Sequence, residues 1–312
     1  LLKNPIDRIG LVLLVVWVGS LQLMLDEGKN LDWFSSPEIV ALAIIAAIGF
    51  AAFLIWELHE EHPIVDLRVF RHRGFSVSVL TISLAFAAFF GANVLTPQWL
   101  QSFMGYTATT AGMATAWTGI FAVFVAPIAA TLSSKVDPRK LVFGGVMWLG
   151  LVTLLRTVAT TDMGYWDVSR PIMLMGLGLP FFFIPLTGLA LASVDEDETA
   201  SAAGLMNFLR TLSGAFATSL ITTVWDDQIT RNHAELVGLS DSDQSVRTLL
   251  ESSGMTPDAV LQSIDRLISG QAVMLATNQI MAFVGVAFIF AASVIWLAPK
   301  PKRVVDAAAG GH

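Results

Sequence analysis

The sequence predicts an all-α membrane protein of eight transmembrane helices with both termini on the cytoplasmic side. Three observations carry that expectation. Of 312 residues, 54% are hydrophobic and 14% charged, with a mean hydropathy of +0.67, whereas soluble domains carry about a quarter charged residues. A soluble chain of this length needs a charged surface over its core, and there is too little charge here to make one. The apolar residues come in runs of about 20, the length that crosses a hydrocarbon layer. The Lys and Arg residues are spread unequally between alternate connections, which orients the spans.

Eight windows qualify as spans: 9–25, 38–57, 75–97, 109–133, 141–160, 171–193, 200–225 and 273–298. The first is short, and Ile6 extends it. Pro63, Pro138, Pro171 and Pro299 fall at or near junctions, where proline starts or stops a helix. Pro97, Pro127, Pro180 and Pro185 lie inside or at the ends of spans, where neighbouring helices satisfy the freed carbonyls. Trp17, Trp33, Trp99 and Trp166 stand near span ends and read as an interfacial aromatic belt.

One set of connections carries eleven basic residues: Lys3, Arg8, Arg68, Arg71, Arg73, Lys135, Arg139, Lys140, Lys300, Lys302 and Arg303. The other set carries five, Lys29, Arg170, Arg231, Arg247 and Arg266, the last three in one long loop. The richer side is the cytoplasmic one, and an even number of spans places both ends there. The turn Val194-Asp-Glu-Asp-Glu-Thr199 on that side is acidic, and its carboxylates suit the positive N-terminal end of the following helix. The outer loop 226–271 holds two amphipathic stretches, Ser245–Ser252 and Thr256–Ile268. Thr256-Pro257-Asp258 is a helix start, with Thr as N-cap and Pro at N1. A small helical cap or extensions of the flanking spans are expected there, with a solvated linker and a docking surface both open as roles.

Enzymatic chemistry has no support. No nucleophile–base set, metal-ligand spacing or phosphate-binding glycine loop is present, and His59, His62, His72, His233 and His312 share no motif. No catalytic residue, metal or cofactor is expected, and no nucleic-acid partner. The net charge of −7 is too unevenly placed to argue for a particular partner, and the absence of Cys leaves the redox compartment unread.

Ionisable and amide groups within the spans are the functional candidates. Asp26, Glu27 and Glu57, at span ends, read as interfacial. Arg210 lies about ten residues into its span, some 15 Å along a helix. It shares a stripe with Ala203, Asn207, Gly214, Ala217 and Ile221, opposite Leu205, Leu209, Leu212, Phe216 and Leu220. The polar, small stripe faces protein or water. Three readings of Arg210 stay open: reaching back to Asp195–Glu198, bridging to another helix, or facing a transport cavity. Arg156, near an outer end, can reach water, Asp162 or Asp167. Asn93, Gln98, Gln101 and Asn278 are neutral amides that suit either a cavity for varied ligands or hydrogen bonding between helices. Phe86, Phe89, Phe90, Trp117, Phe121, Phe124 and Phe181–Phe183 line an apolar pocket or pack as core. Gly176 and Gly178 before Pro180 and Pro185 suit a bendable, closely packed helix.

The stretches Pro5-Ile-Asp-Arg-Ile-Gly10, Gly19-Ser-Leu-Gln22, Leu25-Asp-Glu-Gly28 and Asp32-Trp-Phe-Ser-Ser36 resemble the EmrB/QacA-type drug exporters of the major facilitator superfamily. So do Pro63-Ile-Val-Asp-Leu67, Gly105-Tyr-Thr-Ala108 with Ala111-Gly112, and Asn207-Phe-Leu-Arg-Thr-Leu-Ser-Gly214. The resemblance covers about residues 4–300, and its nearest branch is the inner-membrane EmrB component of Gram-negative tripartite pumps. It implies a fourteen-span protein made of a six-helix half, two linker helices and a second six-helix half. On that reading residues 1–66 are the two linker helices, 67–303 the C-terminal six-helix bundle and 304–312 a disordered tail. The N-terminal half is then missing, in keeping with a start at Leu1. The superfamily's cytoplasmic gating loop corresponds to Thr131-Leu-Ser-Ser-Lys-Val-Asp-Pro-Arg-Lys140, with Lys135, Asp137, Arg139 and Lys140 as its charged members and its Gly and Asp positions replaced.

The function so implied is proton-driven efflux of hydrophobic or amphipathic drugs across the bacterial inner membrane by alternating access. The proton gradient is its energy source, and its coupling acid lies in the missing half. A periplasmic adaptor and an outer-membrane channel are the implied partners. An uptake or nutrient carrier of the same superfamily, and a membrane scaffold acting through the outer loop, are the alternatives.

Overall fold

The computed structural model describes residues 6–242 and 244–300, and among them there are helices and no strand. Each of the eight apolar windows lies on a long helix. These are α1 (Arg8–Glu27), α2 (Pro37–His59), α3 (Arg73–Ser102), α4 (Ala108–Lys135), α5 (Pro138–Leu155), α6 (Tyr165–Ala192), α7 (Thr199–Ser242) and α9 (Pro257–Val294). A short α8 (Ser245–Ser252) stands between the last two. Lys3, Lys302, Arg303 and the tail 304–312 lie outside the described residues.

Seven of these helices are long and apolar enough to cross a membrane, and α7 falls short of that measure. Its span carries Asn207, Arg210 and a run of hydroxyls. Those hydroxyls are satisfied within the helix: Thr211 donates to the Asn207 carbonyl (2.8 Å), Thr218 to Gly214 (2.9 Å) and Thr223 to Ser219 (2.8 Å). Back-bonding of this kind removes most of the cost of placing Ser and Thr among apolar neighbours.

Capping residues set the helix starts. Thr107 accepts from the Thr110 amide (3.1 Å) at the start of α4, and Asp137 from the Arg139 amide (3.1 Å) before Pro138 in α5. The predicted start at Thr256-Pro257 is present, with Thr256 Oγ1 accepting from the Ala259 amide (3.3 Å). One expectation shifts: Pro171 lies inside α6, which begins six residues earlier at Tyr165. The expected extensions of the flanking spans are present in the loop 226–271, since α7 continues to Ser242 and α9 begins at Pro257, and the two project together beyond the bundle.

Helices α3, α4, α5, α6, α7 and α9 enclose one core, in which Phe75, Leu95, Leu149, Phe182, Leu186 and Phe288 are fully buried. Helices α1 and α2 pack chiefly on each other and meet the bundle along α7. Small residues set the closest approaches, as in membrane helices generally. A Cβ on Gly91 would stand 2.8 Å from Ile221, and one on Gly49 2.9 Å from Trp17. Gly176 and Gly178 act the same way, admitting Thr118 of α4 and Trp148 of α5 against α6, which stays one helix through its three prolines. Two members of the expected aromatic belt are core residues instead. Trp17 packs edge-on to Phe50 (4.9 Å between centroids) and Phe208 (6.0 Å), and Trp99 is buried. Each sits where a neighbouring helix covers it, which span position alone does not reveal. Trp166 is exposed.

One end of the molecule, here the basic end, carries the starts of α1, α3, α5 and α7 and the ends of α2, α4, α6 and α9. The projecting hairpin of α7 and α9 marks the far end.

Candidate substrate-binding surface

Arg210 sits about 18 Å along α7 from Glu198. The acidic turn at the basic end is therefore out of its reach, and its carboxylates have other partners. The Arg210 guanidinium lies over two rings, 5.4 Å from the Phe86 centroid and 5.8 Å from that of Phe183, within cation–π range. It is half-buried and has no hydrogen bond or ion pair among the described residues. Gly214, one turn further on, lets Phe86 come within 3.1 Å of where a Cβ would stand, and Phe86 stacks on Phe90 (5.3 Å). These residues form an aromatic face of α3, α6 and α7 with one cation at its centre.

The other predicted residues divide around this face. Asn207 lies one turn before Arg210, and Asn93 about one turn beyond Phe90; both are exposed. Gln98 and Gln101 are exposed further along α3 towards the far end. Asn278 lies elsewhere: its amide donates to the Ala159 carbonyl (3.0 Å), tying α9 to the connection after α5.

The opposite stripe of α7 does not face lipid over most of its length. Leu205, Leu209, Leu212 and Phe216 line one wall of a cavity of about 560 Å³, whose other wall is Trp17, Phe50, Phe53 and Leu54 of α1 and α2. All the lining side chains are apolar or aromatic, and the size is that of pockets which take drug-sized molecules.

Arg156 turns inward rather than towards Asp162 or Asp167. Its guanidinium donates to Thr96 Oγ1 on α3 and lies 3.7 Å from Met175 Sδ on α6. Asp167 has Arg170 beside it (4.0 Å).

At the basic end the acidic turn locks two elements together. Arg71 bonds Asp195 (3.1 Å) and Glu198 (3.0 Å), and His72 Nε2 is 3.0 Å from Glu198 Oε1. Glu198 also accepts from the Asp195 amide (3.3 Å) and closes the cap of the turn that leads into α7. Burial raises the Glu198 pKa, but the bonds from His72 and the Asp195 amide and the charge of Arg71 outweigh it, so the carboxyl is held below its ordinary value. His72, Asp195 and Glu198 place three potential metal-ligand atoms within 4.8 Å of one another. The Arg71 guanidinium already occupies both carboxylates, so the donor set is that of a salt-bridge network rather than a cation site.

Of the predicted gating-loop residues, Asp137 and Arg139 pair (3.0 Å). Arg139 also donates to the Ala298 carbonyl (3.0 Å) and lies 5.9 Å from the Trp296 ring, clamping the α4–α5 turn onto the end of α9. Asp137 is held below the ordinary carboxylate range, since the Arg139 bonds and the nearby Lys300 outweigh its burial. Lys135 and Lys140 are exposed. Sequence reasoning missed the partners Arg71, His72 and Trp296, and also a buried carboxyl pair, Asp7 and Glu57. A charged residue inside a quoted motif was the available signal for Asp7.

A family profile described as Major Facilitator Superfamily matches residues 10–218. The Multidrug export protein EmrB of Escherichia coli K12 is 37% identical over 99% of this chain and 62% of its own length. The EmrB of Haemophilus influenzae is 37% identical over 96% of this chain and 60% of its own. The Fatty acid resistance protein FarB of Neisseria gonorrhoeae is 34% identical over 99% and 61% respectively. This chain therefore spans about three fifths of the length of these relatives. With its apolar helices, these likenesses make it a multi-pass protein of the bacterial inner membrane. The chain belongs to the major facilitator superfamily.

Proposed function

We propose that this chain is the linker pair and C-terminal six-helix bundle of a proton-driven multidrug exporter that works by alternating access. The observation that carries the reading is the half-buried Arg210, without an ion partner among the described residues, over Phe86 and Phe183 on an open face of the bundle. An aromatic surface with a central cation suits amphipathic, hydrophobic molecules with an acceptor or negative group. The likeness to proteins named for multidrug export supports that substrate class. The basic end faces the cytoplasm, as eleven against five basic residues require, so both termini are cytoplasmic and eight helices cross the bilayer. The Arg71–Glu198 network and the Arg139 clamp then hold the cytoplasmic ends of the bundle, as a gate must. The projecting hairpin carries an apolar cleft of about 290 Å³ lined by Leu236, Leu239, Val246 and Leu267, which suits docking of a periplasmic adaptor leading to an outer-membrane channel.

The test is Arg210→Ala in the full-length protein, read as drug accumulation against membrane abundance. Accumulation rising to the level of cells without the protein, at unchanged abundance, is expected. Equal losses of efflux and abundance would return Arg210 to a structural role.

FarB's name and the wholly apolar cavity between α2 and α7 favour one narrower reading, that substrates with an alkyl chain are among those moved. Competition by a long-chain fatty acid against drug efflux tests it: no competition removes that class.

A further inference from the structure

Two carboxylic acids from the two ends of the linker pair meet in a buried place with no cation beside them among the described residues. Asp7, which caps α1, is 6% exposed, and Glu57, in the last turn of α2, is 3% exposed. One oxygen of each is accounted for. Asp7 Oδ1 accepts from the Gly10 amide (2.8 Å) and the Trp56 indole (2.8 Å), and Glu57 Oε2 accepts from the Val65 amide (3.2 Å). The remaining oxygens, Asp7 Oδ2 and Glu57 Oε1, are buried and have no hydrogen-bond donor among the described residues. Both would collide with a Cβ built on Gly10, so they face each other across one missing methyl group.

The surrounding charges do not resolve the pair. Arg8 on α1 is exposed, and Lys3 lies outside the described residues. On α2, His59 bonds the Ile55 carbonyl and Glu60 adds a further negative charge. In the following turn Glu61 and His62 are exposed, and Asp66 pairs with Arg68 (3.1 Å). Two adjacent buried carboxylates cannot both be ionised at acceptable cost. A single proton between the two orphan oxygens satisfies both, as in other carboxyl pairs that share one proton.

We propose that Asp7 and Glu57 form a one-proton binding site between the two linker helices, with the proton on Glu57 Oε1 donated to Asp7 Oδ2. Asp7 is the natural acceptor. Although burial raises its pKa, its bonds to the Gly10 amide, Glu57 and Trp56 and the nearby Ile64 amide hold it below its ordinary value. Loss of the proton leaves two like charges face to face. Repulsion then parts the basic ends of α1 and α2, and the Val65 turn held by Glu57 is released with them. The site stands apart from Arg210 and does not depend on drug export.

The experiment uses the full-length protein in detergent, with Glu57→Gln and Asp7→Asn as separate variants. Difference infrared spectra are recorded as pH is raised. The protonated-carboxyl stretch that bleaches in the wild type is expected to vanish in both variants, since the pair holds one proton in all. Melting temperature should fall with rising pH in the wild type, because the folded state binds a proton that the unfolded chain releases. Glu57→Gln, whose amide donates in place of the proton, should give a flat profile over the same range. A band persisting in either variant overturns the proposal. So does a Glu57→Gln melting profile parallel to the wild type, which decides the matter even if Asp7→Asn does not fold. Sodium raising the wild-type melting temperature at fixed pH as much as acidification does would show a metal-cation site instead, and would also overturn it.

Discussion

Replacing Glu198 by Gln keeps the size of the side chain and removes the charge on which the basic-end network turns. In the folded protein Glu198 receives bonds from Arg71, His72 and the Asp195 amide. A hydrogen bond to a charged group contributes about 1.5–3 kcal/mol. The Arg71 share must be discounted to under about 1 kcal/mol, because that side chain is half exposed and keeps Asp195 as a partner. Glu198 itself is 8% exposed, so its bonds to His72 and the Asp195 amide keep more of their value. The net loss is about 2 kcal/mol, a fall of roughly 5 °C in melting temperature for a chain of this size. The pH dependence has a defined sign. A carboxyl whose folded pKa lies below the ordinary 4.5 contributes stability above that value and loses it as pH falls through the folded pKa. Wild-type melting should therefore drop on acidification below 4.5, and the variant should drop less. The assay is melting of the purified protein in detergent across that range. A variant that melts within about 1 °C of wild type at neutral pH, with a parallel acid limb, would refute the reasoning.

Three further outcomes follow from packing and charge. Gly91→Val forces a side chain into Ile221 where α3 crosses α7, and should cost about 1–3 kcal/mol, measured as loss of detergent-resistant protein; Gly112→Val, in open space, serves as the comparison. Arg139→Ala removes the tie to Ala298 and the stacking on Trp296, so a cysteine placed at Ala298 should react faster with a water-soluble thiol reagent. The chain contains no native Cys to obscure that readout. Arg156→Met replaces a guanidinium whose partners are neutral, Thr96 and Met175, and should leave stability unchanged or raise it by about 1 kcal/mol. A marked fall in melting temperature would show that the cation is needed for packing.

The helices were legible because apolar runs of fixed length are a local signal. Each window landed on a helix, and caps such as Thr256-Pro257 marked a start to the residue. The signal fades where α7 leaves the apolar region near Trp225: the chain turns polar there, but the helix goes on, held by pairing with α9. The candidate site was half legible. Arg210 stood out because a cation amid apolar residues is visible in one dimension, but Phe86 and Phe183 come from helices more than 90 residues apart. For Arg156 the acids near in sequence, Asp162 and Asp167, are visible in one dimension, whereas its actual partners Thr96 and Met175 are brought to it only by the packing of α3 and α6. Glu57 reads in the sequence as an ordinary interfacial acid, and Asp7, fifty residues away at another span end, stands out only as a charged member of the Pro5–Gly10 motif. Only the crossing of α1 and α2 makes them a pair.

The unbroken course of α7 has a mechanical consequence. At 1.5 Å per residue its 44 residues make a rod of about 66 Å, with no proline to absorb a bend. Its close approach to α3, at Gly91 and Ile221, lies near the middle and serves as a fulcrum. Arg210 is then about 16 Å from the pivot on one side and Ser242 about 31 Å on the other. A tilt of about 5° moves the guanidinium by roughly 1.4 Å and the hairpin tip by roughly 2.7 Å in the opposite sense, given these arm lengths. Such a lever would report a small adjustment around a bound molecule at the far surface, magnified about twofold by the ratio of the two arms.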